Sequence, residues 1–328
     1  MEAKIPKILS IGAATQDVFL ENSPELAPVK VDATHDLLEL ELGSKIDVNH
    51  IYFSTGGGAT NAAVTFARQG LKASFMGMIG DDIAGQQILA DLDQEFVETS
   101  RVEISDNYNT DYSTIILAPN GERTILTYRG ASSKLFVDNF KLEPREFDWL
   151  YVSNLAGRFD ALSEIFQEAT MKGAKVMWNP GKKEISQPEE VKNLLSDVEI
   201  LLVNKEEAQA IFGKFEPEEL LMRAKNFVKV IIITDGPNGV WALDGEKIVR
   251  AGMYEDIPSV DRTGAGDAFG SGFLSQWAQG ADLAPSLLFA SANSTSVIQF
   301  IGAKKGLLRR DEIPQLHSMP MYEKRLNV

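Results

Sequence analysis

The chain has 328 residues, 44% hydrophobic and 24% charged, which is ordinary for a globular protein and long enough for a large core. Its 32 basic and 47 acidic residues leave a net charge of −15, which argues against nucleic acid or an anionic membrane as partner. Cysteine is absent, which excludes disulfides, thiolate catalysis and thiolate-bound metals. No apolar run is long enough to cross a bilayer, and Met1 to Lys7 lacks an apolar signal segment, so a cytoplasmic chain is expected.

Ile8-Leu9-Ser10-Ile11 predicts a short apolar strand ended by Gly12, with Asp17 on the loop beyond it. Loops at the carboxyl ends of strands line the ligand crevice of open α/β sheets. Asp17 is therefore either a hydroxyl-binding carboxylate or a turn cap. Residues 21–50 do not look like core. Pro24, Glu25 and Pro28 precede the alternation Leu38-Glu39-Leu40-Glu41-Leu42, which predicts a half-buried strand, and Ile51-Tyr52-Phe53 predicts another.

Gly56-Gly57-Gly58-Ala59-Thr60-Asn61 opens a helix expected to end at Gln69, with Gly70 as its stop. Gly57 and Gly58 permit close backbone approach by a ligand, and Asn61 can reach a sugar hydroxyl. Tight packing of the helix on the sheet asks for the same small residues. A strand over 73–79 and a helix over 83–93 follow. Tyr112 to Ala118 and Arg123 to Tyr128 predict a hairpin about Asn120-Gly121, which breaks the α/β alternation and joins the earlier excursion in one small sheet. Arg129 ends it, aimed at an anion or at solvent.

From Trp149 the pattern becomes regular: strands near 150–152, 175–178, 200–203 and 230–234 are separated by helices, which predicts a mostly parallel sheet covered on both faces. Asn204 and Glu207 at a strand-to-helix junction suit water around Mg²⁺ or a capping box. Thr234, Gly236 and Gly239 form a glycine-rich turn, either phosphate-facing or ordinary. A hairpin over 240–250 follows. The helix from about Pro285 to Gln299 carries Ser291-Ala292-Asn293-Ser294, suited to walling a flat ligand such as adenine or to close helix packing. Residues 302–328 are basic with little pattern.

The most informative stretch is Asp261-Arg262-Thr263-Gly264-Ala265-Gly266-Asp267, followed by a helix of small and apolar residues. Small residues let the N–H groups of 264–266 converge on an anion, and the helix start adds positive partial charge. Asp267 would repel a phosphate merely held there. It has a use where a phosphoryl group moves onto a hydroxyl, because the carboxylate accepts the hydroxyl proton.

Four segments taken together resemble the ribokinase-like (PfkB) carbohydrate and nucleoside kinases over essentially the whole chain: the 261–267 loop, the Gly-Gly-Gly-Ala-Thr-Asn run with Gly70 and Gly80 downstream, Asn204 to Glu207, and Thr234 to Gly239. The resemblance implies a single kinase domain over 1–328, α/β in class, with a doubly wound sheet and a small β-sheet lid inserted from about 18–53 and 108–130. It implies an ATP-dependent phosphotransferase acting on a hydroxymethyl group of a sugar or nucleoside, with Mg²⁺ and, in many members, K⁺. Asp267 would be the base and the N–H groups of Gly264, Ala265 and Gly266 the anion hole. Asp17, Gly57, Gly58, Asn61 and Arg129 would hold the acceptor. Thr234, Gly236, Gly239 and Asn293 would line the nucleotide site. Asn204 and Glu207 would organise Mg²⁺ through water, and Asp261 and Thr263 would bind K⁺, mainly by carbonyls. The long 21–53 excursion could build a homodimer clasp, as lids do in several members, or reshape acceptor choice. Arg262 stands where the family often has Thr, and 151–155 offers no second acidic hydroxyl ligand. The alternative is a non-catalytic sugar- or nucleoside-binding regulator on the same fold.

Overall fold

The structure is a computed structural model that describes residues 4–21, 29–30, 36–117, 123–135, 137, 140–245, 247–254, 257–312 and 319–325. The chain begins β1 (Lys7–Ile11), β2 (Thr15–Glu21), β3 (Val29–Lys30), β4 (Asp36–Leu37), β5 (His50–Gly56), α1 (Gly58–Arg68), β6 (Lys72–Gly80), α2 (Ile83–Gln94), β7 (Glu98–Ser105), β8 (Asp111–Leu117) and β9 (Arg123–Tyr128). It continues β10 (Trp149–Val152), α3 (Phe159–Lys172), β11 (Lys175–Trp178), α4 (Lys182–Ile185), α5 (Pro188–Leu194), β12 (Ile200–Asn204), α6 (Lys205–Phe212), α7 (Pro217–Ala224) and β13 (Val230–Thr234). It ends β14 (Val240–Asp244), β15 (Lys247–Ala251), α8 (Ala265–Trp277), α9 (Leu283–Val297) and β16 (Met321–Arg325).

Ten strands form the main sheet in the order β16-β15-β14-β13-β12-β11-β10-β1-β6-β7. The run from β13 to β7 is parallel, and β14, β15 and β16 add antiparallel at one edge. Side chains along the central strands alternate between two cores. Leu9, Leu150, Val176, Leu201 and Ile231 face α3 and α5 to α7, whereas Ile8, Trp149, Met177, Ile200 and Ile232 face α1, α8 and α9. Burial on both faces is why these strands read as continuous apolar runs. The order reverses beside β1, which has β10 on one side and β6 on the other. In open α/β sheets a crevice opens at the strand carboxyl ends of such a switch point.

A second, four-stranded sheet, β5-β2-β8-β9, stands apart from the first. It gathers both segments expected to form a lid. Asp17, expected on a loop, lies within β2, because the chain leaving β1 turns directly into this sheet. The strand expected over Leu38 to Leu42 does not form. Leu40 is 48% and Leu42 99% exposed, so neither face of the alternation is covered, and pairing there is limited to β3 with β4. The Asn120-Gly121 turn and the Pro24, Glu25 and Pro28 segment lie outside the described residues. Besides β2 and the short β3 and β4, two strands had no clear sequence signal. β7 has no clean alternation, and β16 lies in the basic tail, paired to β15. No helix among the described residues is long and apolar enough to cross a membrane.

Candidate active site

The 261–267 loop is folded by its own first carboxylate. Asp261 is buried; its Oδ1 accepts from the Thr263 N–H at 2.9 Å and hydroxyl at 2.7 Å, and its Oδ2 accepts from the Gly302 N–H at 3.0 Å. The chain then turns through Gly264 (φ 79°), where a Cβ would strike Ala303, and α8 starts at Ala265. The Ala265 N–H bonds the Arg262 carbonyl at 3.3 Å, whereas Gly266 faces open space. The open face of the turn is therefore centred on Gly266 at a helix N-terminus, with partial positive charge behind it.

Asp267 occupies the first turn of α8. Its Oδ2 accepts from Asn61 Nδ2 at 2.9 Å. A Cβ on Gly58 would lie 3.1 Å from its Oδ1, so the missing side chain makes room for the carboxylate. The contact with Asn61 is the first rung of a seam between α1 and α8. Ser271 Oγ bonds Thr65 Oγ1 at 2.8 Å, and Gln276 Nε2 bonds Gln69 Oε1 at 3.2 Å. Rungs near i and i+4 stay on one helix face. Burial pushes the Asp267 carboxyl above its ordinary range, while Asn61 and the charge of Lys304 oppose the rise.

Asp17 faces the same crevice from the small sheet. It lies opposite Ser54 on β5 and Ser113 on β8, is 6% exposed, and occupies space that a Cβ on Gly56 would take. Burial raises its carboxyl to about 7; the Ser113 hydroxyl and Lys304 counter the rise, and the charges of Asp261 and Asp267 add to it. Gly57 (φ 98°) caps α1 where a Cβ would meet the Ala13 carbonyl. Ser153, at the end of β10, lies against both Gly12 and Gly58. Ser113 and Lys304 escaped the sequence reading, since each reaches the crevice from an element distant in the chain. Arg129 is exposed beyond β9, where its charge favours ionised Asp111, and it makes no hydrogen bond to Asp17, Asn61 or Asp267.

On the other side of the 264–266 turn lies a cavity of about 380 Å³ whose lining includes Thr234, Gly236, Gly239, Arg262, Gly266 and Phe269. Its α9 wall is Ser291, Ser294, Thr295 and Ile298. Asn293 corrects the expectation for this helix. It is fully buried away from the lining, donates from Nδ2 to the Ala268 carbonyl at 2.8 Å and accepts from the Leu308 N–H at 2.9 Å. On one helix, residues 291, 294 and 295 share a face that 293 leaves by about 100–200°.

Asn204 and Glu207 form the capping box. The Glu207 N–H donates to Asn204 Oδ1 and the Asn204 N–H to Glu207 Oε2, both at 2.8 Å. Asn204 pairs with Thr234 across β12 and β13, which brings the cap beside the cavity. Burial raises the Glu207 carboxyl. With one oxygen of each committed to the backbone, the pair suits an outer-sphere contact to a hydrated divalent ion rather than direct ligation. Among the described residues no cluster of three or more His, Asp or Glu side chains can hold a metal. The side-chain oxygens of Asp261 serve the loop itself, so a K⁺ there would have main-chain carbonyls as its donors, and no step is assigned to it.

Comparison with known proteins bears on the family and the fold. The chain is 26% identical over 302 residues to an ATP-dependent 6-phosphofructokinase of Thermoanaerobacterium thermosaccharolyticum, which covers 87% of this chain and 91% of that one. It is 28% identical over 267 residues to a ribokinase of Bacillus subtilis, covering 80% and 87%. The fold matches the crystal structure of a Methanocaldococcus jannaschii nucleoside kinase with a TM-score of 0.77 at 21% identity, over 94% of this chain and 97% of that one. The family model for the pfkB family carbohydrate kinases matches residues 28–309. The chain belongs to that family and is a sugar or nucleoside kinase.

Proposed function

We propose that the chain transfers the γ-phosphoryl group of ATP to a hydroxymethyl group of a sugar or nucleoside, with Asp267 as the base. The observation that carries this reading is the placement of Asp267. Its Oδ2 is held by Asn61 while its Oδ1 lies beside Gly58, and the preceding residue, Gly266, lines the cavity. The acceptor hydroxyl gives its proton to Asp267 Oδ1 as its oxygen bonds to the γ-phosphorus. The bond from that phosphorus to the bridging oxygen breaks, and ADP leaves. The Gly266 end of α8 takes up charge on the transferring oxygens. Asn61 fixes the carboxylate and Asp17 accepts from acceptor hydroxyls. Bound Mg²⁺ would neutralise the phosphates, with Glu207 and Asn204 orienting its water. The cavity lining of Thr234, Gly236, Gly239, Ser291 and Ser294 would hold the nucleotide.

The test is ADP release from Mg²⁺-ATP across D-ribose, D-fructose, fructose 6-phosphate and inosine, with Asp267→Asn as the blank. Turnover that vanishes in the blank supports the reading. ATP binding without turnover on any acceptor favours the non-catalytic alternative. A second copy of the chain is the partner that suits the small sheet. Among the described residues no strand pairs with the outer edges of β5 and β9, which expose Ile51, Phe53, Leu126 and Tyr128. Sedimentation of the wild type as a dimer, and of Phe53→Lys as a monomer, is the expected outcome.

A further inference from the structure

The seam between α1 and α8 holds a second polar pair, one turn beyond Asn61 and Asp267. Thr65 follows Asn61 by four residues, Ser271 follows Asp267 by four, and both side chains are fully buried. Ser271 Oγ donates to the Asp267 carbonyl at 2.6 Å and lies 2.8 Å from Thr65 Oγ1. With its one proton on that carbonyl, Ser271 accepts from the Thr65 hydroxyl. Thr65 Oγ1 in turn lies 3.3 Å from the Asn61 carbonyl. The two hydroxyls thus reach from the backbone of Asp267 to the backbone of the amide that holds its carboxylate.

Neither hydroxyl serves its own helix. Serine and threonine are poorer helix formers than alanine, and a hydroxyl bonded back to the i−4 carbonyl slightly weakens a helix. This end of α8 is already weak, with glycine at 266, 270 and 272. Close packing requires two of those glycines, since a Cβ on Gly270 would strike Leu202 and one on Gly272 would crowd Asn293. Little within α8 itself therefore fixes where Asp267 stands against Asn61. A slip of one residue along the seam would carry the carboxylate about 1.5 Å along the helix and turn it by about 100°.

We propose that Thr65 and Ser271 are positioning residues of this site: their buried hydroxyl pair locks α8 to α1 in the register at which Asn61 meets the Asp267 carboxylate. The inference rests on the proposed role of Asp267 as base. Misplacing a reacting group by about 1 Å can lower a rate on the order of a hundredfold. Loss of the pair should therefore reach kcat although neither hydroxyl touches a ligand.

The experiment measures kcat and both KM values by ADP release in Thr65→Val, which keeps the side-chain shape without the hydroxyl, and in Thr65→Ser, which restores it. In the valine variant kcat is expected to fall about tenfold with both KM values within about twofold of wild type, and to recover in the serine variant. In the Asp267→Asn background Thr65→Val should cause no further loss. Unchanged kcat in a folded Thr65→Val variant overturns the proposal, as does no recovery in Thr65→Ser or an equal loss in the Asp267→Asn background. If the valine variant does not fold, Ser271→Ala takes its place with the same expected loss. A second readout needs no turnover. In the full chain labelled with nitrogen-15 at asparagine, the Asn61 side-chain amide protons, assigned through Asn61→Ala, should exchange with solvent about tenfold faster in Thr65→Val. If the wild type releases no ADP on any acceptor, the kinase reading fails by itself, and unchanged amide exchange is then the result that overturns the positioning.

Discussion

Asp267 and Asp17 are the same side chain facing one crevice, held by opposite kinds of structure. Asp267 belongs to a contiguous turn. Asp261 folds that turn, a glycine at φ 79° redirects it, and a helix starts two residues before the carboxylate. Asp17 belongs to no motif. It stands on a strand held between β5 and β8, and its neighbours Ser54, Ser113 and Lys304 come from three separate stretches. The 261–267 side of the crevice is thus built locally on the core. The Asp17 side is assembled by tertiary contacts, and there burial raises a carboxyl to about 7. Under the proposed function, such a division fixes the transfer chemistry while acceptor choice varies with the small sheet.

The sharpest way to break the comparison is Asp267→Asn. It should keep ATP binding and lose at least two orders of magnitude in kcat; near-normal turnover would remove the base from the mechanism. Asp17→Asn should act on the acceptor instead, raising its KM roughly ten- to a hundredfold, as expected for a lost hydrogen bond to a charged group, with a smaller change in kcat. Because ionised Asp17 is the form that accepts hydroxyls, wild-type kcat/KM should fall as pH drops below about 7.

Stability should follow the same group with the opposite sign. Asp17 is raised in the folded chain, which therefore holds a proton that the unfolded chain releases, and stability falls as pH climbs from about 4 to about 7. Urea unfolding of Asp17→Asn should show an advantage on the order of 4 kcal/mol over wild type at pH 8 and little at pH 4. Gly58→Ala places a methyl 3.1 Å from Asp267 Oδ1. Turnover should drop about tenfold, since misplacing a reacting group is costly, while the melting temperature barely moves.

Two smaller effects sharpen the boundary of the site. Asn293→Ala should destabilise the chain by about 1–3 kcal/mol through two lost buried hydrogen bonds and leave the KM for ATP unchanged. Arg129→Ala, at an exposed position, should change stability by less than about 0.5 kcal/mol, and acceptor KM by no more than about twofold. A larger rise in acceptor KM would return Arg129 to the binding site.

The same division explains what the sequence could reveal. The 261–267 turn, the glycines before α1 and the Asn204 to Glu207 cap were legible because turn chemistry and helix starts are written in adjacent residues. The alternating strands of the main sheet were legible because burial on both faces leaves apolar runs. Lys304 was not, since nothing in a basic tail says which lysine turns inward. Asn293 was placed on the wrong wall because small polar residues on a helix fit a ligand face and a packing face equally well. Leu38 to Leu42 alternate as a strand would, but alternation makes a strand only where one face finds cover.

The glycines around the two carboxylates impose an order on how this crevice can change in descent. Gly56 leaves vacant the volume that the Asp17 carboxylate fills. While Asp17 is present, alanine at 56 is barred. Once Asp17 has been replaced by a smaller residue, the vacancy has no tenant, and alanine at 56 becomes a gain, since it lowers the conformational entropy of the unfolded chain and fills a void. That second substitution then closes the way back. Loss of the Asp17 carboxylate would therefore behave as a ratchet, easily completed and hard to reverse.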